Sequence, residues 1–301
     1  MKGKDWLLFI LLGAIWSSSF MWIKIAVQEV GPMTLVAFRV LFVLVFGAAV
    51  ILIQRTRLPH RLRDWSPPLI LGISNVAIPF FLISWGERSI DSAVAAILDA
   101  TVPLFTIVIA HLALHDDKIT LPKTIGLLIG FAGVIVLMSE DIGASSSSLL
   151  GQAAVVLASM FYAGSSVYAR KFTEDVPGIF RSAGPLLSST AVMWPAAAIL
   201  ERPLKIPQVP ITWIALLWLG ILGSGFAFVL SYYLIHSIGP TRTTMVTYLF
   251  PLGGVALGVS FLGEHLTWQI LSGALLIVAS LAVSNIRARS QPAAVSADSV
   301  G

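Results

Sequence analysis

The chain has 301 residues, of which 57% are hydrophobic and only 11% charged, with a mean hydropathy of +0.90. A soluble globular chain carries about a quarter charged residues, so a single soluble core is excluded. The formal charge of +4 does not point to nucleic acid, because the basic residues fall in short loops, and the absence of cysteine excludes disulfides, thiolate metal sites and cysteine nucleophiles.

Apolar stretches of about 20 residues, enough to cross a hydrocarbon layer about 30 Å thick, recur along nearly the whole length. They predict an all-α integral membrane protein with ten transmembrane helices, over roughly 6–26, 32–53, 67–85, 92–113, 122–138, 149–169, 178–200, 211–235, 241–262 and 268–286. Met1-Lys2-Gly3-Lys4 followed by an apolar run looks like the start of a signal peptide. Trp6 to Ala26 is longer than such an apolar region and lacks a small-residue cleavage site, so it reads as the first span. Gly31-Pro32, Pro67-Pro68, Ser145–Ser148 and Gly239-Pro240 are turn signals between spans. After Ile286 the Ser/Ala/Pro-rich tail, 291–301 above all, reads as disordered and cytoplasmic. Nine Trp and five Tyr, many near span ends, fit interfacial belts.

Displaced by 148 residues, the sequence overlays itself. Leu71-Gly72-Ile73 falls on Leu219-Gly220-Ile221, Phe80 on Phe228, Ser89-Ile90 on Ser237-Ile238, and Pro103-Leu104 on Pro251-Leu252. At a displacement of 146, Trp16, Ser19 and Lys24 fall on Tyr162, Ser165 and Arg170. The chain therefore divides into two five-helix repeats, 1–143 and 144–290. With the N-terminus in the cytoplasm, inner loops receive thirteen Lys and Arg residues and outer loops four, so both termini are expected inside, in a multi-pass inner (plasma) membrane protein. Five spans per copy is an odd number, so the second repeat must be inverted. Inverted repeats are the architecture of secondary transporters, whose site lies near the midplane.

The residues that carry the repeat also resemble a known family. Trp16-Ser17-Ser18-Ser19-Phe20…Lys24, Phe38-Arg39, Ala93…Ala96…Pro103 and the Gly126, Gly130, Gly133 ladder are similar to the drug/metabolite transporter superfamily of the EamA type. So is the second-half series Pro251…Gly263-Glu264…Gly273. The resemblance spans about residues 6–286 and implies export of small metabolites, often amino acids. Within the family, the likeness runs toward aromatic amino-acid exporters of the YddG type. One departure is that the first half has His115-Asp116 where the second has Gly263-Glu264.

An ionisable group at bilayer depth costs about 2.5–3.5 kcal/mol on insertion scales and so needs a reason. Asp99, eight residues into span four, shares a predicted helix face with Pro103 and Thr106, and is a candidate ligand for a substrate ammonium or a proton carrier. Its repeat counterpart is Thr247. Lys24 either snorkels to the outer surface or attracts a carboxylate. Arg39 is too deep to snorkel and is expected to pair with an acid or a carbonyl. Asn75 and Pro79 share a face in span three, where the amide could serve a zwitterion or glue two helices. Trp16 and Tyr162 are matched deep aromatics suited to lining a cavity, and Tyr248 lies at depth in span nine. With Ser18 these make the expected substrate-binding set: Trp16, Ser18, Lys24, Asn75, Pro79, Asp99, Tyr162 and Tyr248. Pro103 and Pro251 are the expected hinges.

His111, His115, Asp116 and Asp117 could suggest zinc, but they sit at a cytoplasmic helix end with no completing cluster, so no metal and no cofactor is expected. No Walker loop and no Gly-x-Ser-x-Gly motif occurs, which argues against ATP-driven transport and against an enzyme. The expected function is alternating-access export of small metabolites, most of all aromatic and neutral amino acids. The expected partners are the lipid bilayer and a small-molecule substrate, not nucleic acid, and a ten-span unit can work as a monomer. Rivals are a proton-coupled multidrug or other metabolite efflux pump, a nucleotide-sugar carrier needing more midplane cations, and an intramembrane enzyme.

Overall fold

A computed structural model describes residues 3–54, 65–114, 119–139, 146–173, 178–238, 243 and 245–284. The 143/144 repeat boundary, the His115-Asp116 pair and the 291–301 tail lie outside these residues. Among the described residues every element is helical. In chain order they are α1 (Gly3–Ala26), α2 (Pro32–Gln54), α3 (Ser66–Gly86), α4 (Ser92–Ala113), α5 (Leu121–Met138), α6 (Ser146–Phe172) and α7 (Gly178–Leu200). Then come α8 (Pro210–Leu217, continuing to Ile238), α9 (Met245–Leu262) and α10 (Trp268–Ser284). Seven of them (α1, α3, α4, α5, α6, α8 and α9) are long and apolar enough to cross a membrane, while α2, α7 and α10 carry shorter apolar lengths. Prolines open several of them, as Pro67 does α3, Pro122 α5 and Pro210 α8, where the missing N–H leaves no bond unmade.

The bundle turns many large apolar side chains outward: Leu112, Leu128, Ile135, Phe261 and Leu275 are each at least two-thirds exposed. That is the surface a bilayer covers. Inside, Leu35, Ile97, Leu98, Leu216, Leu219 and Ile277 are fully buried in one core.

Helix pairing follows an exchange pattern. α2 packs on α7, α4 on α9 and α5 on α10, while α3 packs on α6 as α8 does on α1. Likewise α4 packs on α6 as α9 does on α1, and α3 on α7 as α8 does on α2. Some pairings break the pattern: α1 packs against the Ser92–Asp99 part of α4 and α2 against the Ile78–Gly86 part of α3, whereas α6 has no comparable contact with α9, nor α7 with α8, among the described residues. The outlying α5–α10 pair is close because it is built on small residues. A Cβ at Gly126 would stand 2.7 Å from the Ser280 carbonyl, and one at Gly133 3.1 Å from that of Gly273.

Four membrane-depth helices are irregular in ways periodicity does not reveal. α3 widens into a π-helix over Gly72–Ala77 and α8 over Trp218–Phe226, the stretches that overlay at a displacement of 148. Such widenings cluster at functional sites. α4 divides after Asp99: Ala100 and Thr101 form a tight turn, with Leu104 N–H bonding Thr101 O at 2.9 Å. Pro103 is the second residue of the following half-helix and gives no N–H to the Asp99 carbonyl. The continuous face expected for Asp99, Pro103 and Thr106 is therefore interrupted, and the Thr106 hydroxyl turns back to Val102 O at 2.9 Å. In α9 a 3₁₀ turn over Met245–Tyr248 precedes Pro251, and the helix ends at Gly263, whose φ of 69° suits glycine. Both prolines thus stand just after a break in regular helix.

Tyr248 is placed by this geometry away from the centre. Its hydroxyl donates to Leu281 O at 2.6 Å, tying α9 to α10. Tyr248→Phe is expected to lower stability by about 1 kcal/mol, read as a fall in unfolding temperature in detergent. The half-saturation concentration of any exchanged solute should stay unchanged. A change in that value would return Tyr248 to the substrate site.

Candidate functional site

The breaks in α3, α4, α8 and α9 face one space. A cavity of about 250 Å³ lies between α1, α2, α3, α4, α6, α8 and α9. Its walls are mostly aromatic: Trp16 and Phe20 from α1, Phe80 from α3, Tyr162 from α6, Phe228 from α8 and Phe250 from α9. Edge-on contacts fix these rings, with Trp16 at 6.3 Å from Phe228 and 6.2 Å from Phe250, centroid to centroid. The Trp16 indole N–H donates to Gly223 O at 3.2 Å, inside the π-helical stretch of α8. Asn75, from the matching stretch of α3, lines the wall there with a side-chain amide instead.

Two charged groups line the cavity. Asp99 is 6% exposed, and its Oδ1 has no hydrogen-bond partner. Arg39 is equally buried but held: its Nε donates to Ser224 Oγ at 3.0 Å, and its guanidinium lies 3.6 Å from the Phe80 ring centroid. Neither group lies in an ion pair with the other. An aromatic chamber holding an anion and a fixed cation, each buried and not neutralised by its neighbour, can receive a ligand carrying both complementary charges.

Of the expected binding residues, Trp16, Asn75, Asp99 and Tyr162 meet in this cavity, with Thr247 beside them. Ser18, Lys24, Pro79 and Tyr248 are not among its lining. Ser18 donates to Ile15 O at 2.8 Å and accepts the Trp218 indole N–H at 3.0 Å. Pro79 is buried behind the wall, since the π-helical turn at Gly72–Ala77 shifts the register that would have aligned it with Asn75. Lys24 is directed to the end of the bundle, where its ammonium donates to Glu87 O at 2.9 Å and Ile90 O at 2.6 Å. Arg39 reaches a hydroxyl and a ring rather than the acid or carbonyl expected of it. His111 accepts the Ile119 N–H at Nδ1, 3.3 Å away, and no group of three or more metal-type side chains occurs among the described residues.

The end of the bundle that holds Lys24 is firmly closed. Glu201, just past α7, accepts the N–H groups of Met33 and Thr34 at 2.9 Å each, together with the Thr34 hydroxyl at 2.7 Å. Glu264, just past α9, accepts the N–H groups of Ser92 and Ala93 at 2.7 and 3.0 Å. Each carboxylate satisfies the free donors at the start of a helix, α2 or α4, and sits at the positive end of its dipole. Glu29 accepts the N–H groups of Gln208 and Val209 in the same region. At the opposite end the cavity is continued: a hollow of about 160 Å³ shares Asn75, Ser166 and Phe228 with it and reaches Ala169 and Leu71.

A multi-pass helical bundle closed at one end around a cavity of this kind has the build of a membrane transporter. The family model of EamA-like transporters matches the chain twice, at residues 4–139 and 149–286, and the chain belongs to that family. Among its relatives, the "Uncharacterized inner membrane transporter YedA" of Escherichia coli (strain K12) is 29% identical over 84% of this chain and 81% of its own length. The "Uncharacterized transporter YoaV" of Bacillus subtilis (strain 168) is 24% identical over 87% of this chain and 90% of its own. One crystal structure, 21% identical, covers 96% of this chain and 100% of that one with a TM-score of 0.68, a likeness of fold.

Proposed function

We propose that the chain is a secondary transporter exporting small zwitterionic metabolites, aromatic and neutral amino acids foremost, by alternating access around the central cavity. The observation that carries this reading is the pair of charged groups in the cavity. Asp99, with an unpartnered oxygen, takes the ammonium, and Arg39, braced by Ser224 and Phe80, takes the carboxylate. The aromatic wall of Trp16, Phe228 and Phe250 accommodates an apolar or flat side chain. Two inverted five-helix repeats, 1–143 and 144–290, agree with the double family match and with the exchange pattern of helix pairs.

The positive-inside count puts both termini in the cytoplasm and the Glu264 end outside. In that orientation the described conformation is closed outward with its cavity extended inward, the state in which an exporter loads. Transport then requires α4 to part from α1 at the outer end while α6 and α9 approach at the inner end. The breaks before Pro103 and Pro251 and the π-helical stretches of α3 and α8 are the places where those helices can bend.

Counterflow in proteoliposomes tests the assignment. Labelled phenylalanine, tryptophan or alanine is expected to exchange against the same amino acid, whereas phenethylamine, which lacks the carboxylate, is expected not to. Exchange of organic amines without that of amino acids would favour a multidrug pump with Asp99 as its acid. No exchange of either would remove the amino-acid assignment. Repeating the assay with and without a pH gradient separates proton coupling from facilitated diffusion.

A further inference from the structure

Glu87 is a buried acid that the central cavity does not use. It follows Gly86, where α3 ends, and its own N–H closes the helix on Ile83 O at 2.9 Å. The residue is fully buried, and neither carboxylate oxygen has a hydrogen-bond partner. We propose that Glu87 is a proton-binding site that, when occupied, holds the outer face of this transporter closed.

The geometry behind this is a corner gripped from two directions. The loop from Glu87 to Ser92 joins α3 to α4. From α1, Lys24 holds the loop by the Glu87 and Ile90 carbonyls. From the end of α9, Glu264 holds the first turn of α4 by its Ser92 and Ala93 N–H groups. The ammonium nearest Glu87 is thus bound to backbone carbonyls, and the nearest second carboxylate adds a like charge. The other charged groups that act on Glu87 are Arg39 of α2 and Asp99 of α4, one of each sign. An anion enclosed this way, with no donor on either oxygen, is strongly disfavoured, and a proton relieves the penalty. Burial accordingly pushes the Glu87 carboxyl well above the usual carboxylate range.

Opening the outer end has to draw this corner away from α1 or α9. Water then reaches Glu87, its acidity returns toward the ordinary value of about 4.3, and Lys24 is released to pair with it. The closed state therefore binds one more proton than the open state. Preference for the closed state is greatest below the open-state pKa. It falls about tenfold per pH unit as the pH rises from there to the raised closed-state value. External acid should hold the gate shut and external alkali should free it. The idea rests on the proposed function in two respects: an open outer state exists, and the Glu264 end is the one that faces outward.

The chain contains no cysteine, so Ile90→Cys gives a single buried reporter on the moving corner. In proteoliposomes it is labelled from outside with a membrane-impermeant maleimide, and rates are corrected for thiol ionisation using the unfolded protein. Labelling is expected to be at least about tenfold faster at about pH 8 than at about pH 5. In the Glu87→Gln background it should be slow at both. Equal, pH-dependent labelling with and without Glu87→Gln would overturn the proposal. A second measurement needs no opening at all. The infrared carbonyl band of a protonated acid free of hydrogen bonds is expected in the native chain and in Glu87→Asp, and absent in Glu87→Gln. An unaltered band in Glu87→Gln would equally overturn the proposal, whereas failed amino-acid counterflow with the band present would remove only the substrate assignment.

Discussion

Asp99→Asn is expected to lower counterflow of neutral amino acids by about tenfold to a hundredfold, with little change in protein stability. A hydrogen bond to a charged group contributes about 1.5–3 kcal/mol, and each 1.36 kcal/mol is a factor of ten. Asparagine keeps the shape of the side chain but cannot offer a full negative charge to an ammonium. Stability should hardly suffer, because Oδ1 of Asp99 makes no bond within the protein. The other contacts on the carboxyl, from the Ser159 hydroxyl and the Arg39 charge, are ones an amide oxygen of the same shape can keep in part. The effect should appear in the half-saturation concentration and be largest for substrates bearing a free ammonium. N-acetylated amino acids, if carried at all, should scarcely notice the change. Wild-type exchange by Asp99→Asn would remove the residue from the substrate site and leave a facilitator that recognises its solute by Arg39 and the rings alone.

Gly86→Val is the substitution with the largest expected cost to the fold. A Cβ at Gly86 would stand 2.6 Å from the Gly151 carbonyl of α6 and 3.1 Å from a methyl of Val155. A backbone oxygen cannot rotate aside as a side chain can, so α3 and α6 must separate. Overpacking typically costs about 1–3 kcal/mol, and a collision with backbone belongs at the upper end. The reverse contact is equally close, with a Cβ at Gly151 2.9 Å from Gly86 O. A marked drop in the detergent unfolding temperature is expected, with Gly86→Ala intermediate. An unshifted unfolding temperature for Gly86→Val would show that the two helices do not meet as described.

Much of this was legible in the sequence because it depends on composition and on covalent properties of single residues. Helix positions follow apolar length, and among the described residues seven of the expected spans are helices long and apolar enough to cross a membrane. The breaks near Pro103 and Pro251 follow from a missing N–H. Asp99, Trp16, Asn75 and Tyr162 stood out as polar or amphipathic groups at depth, and the cavity gathers all four.

What stayed hidden depends on partners from distant parts of the chain. The π-helical stretch at Gly72–Ala77 begins where Gly72 packs against Ser188 and Pro185 of α7, and no local period announces it. Lys24 had two plausible destinations, and only the folded chain brings the carbonyls of Glu87 and Ile90 to it. Arg39 was recognisable as a cation too deep to reach water, yet its placement required Ser224, 185 residues away. Glu264 was visible as half of an uneven motif. Its partners are amides, which every residue but proline possesses, so side-chain identity could not reveal them.

That last feature bears on how the closed end of the bundle can vary among descendants of this chain. Glu201 and Glu264 grip backbone N–H groups, so replacing the side chains of Met33, Ser92 or Ala93 leaves the donors in place, unless proline is introduced. Inherited changes that loosen this end through those contacts should therefore concentrate on the two glutamates, while the helix starts they hold are free to drift.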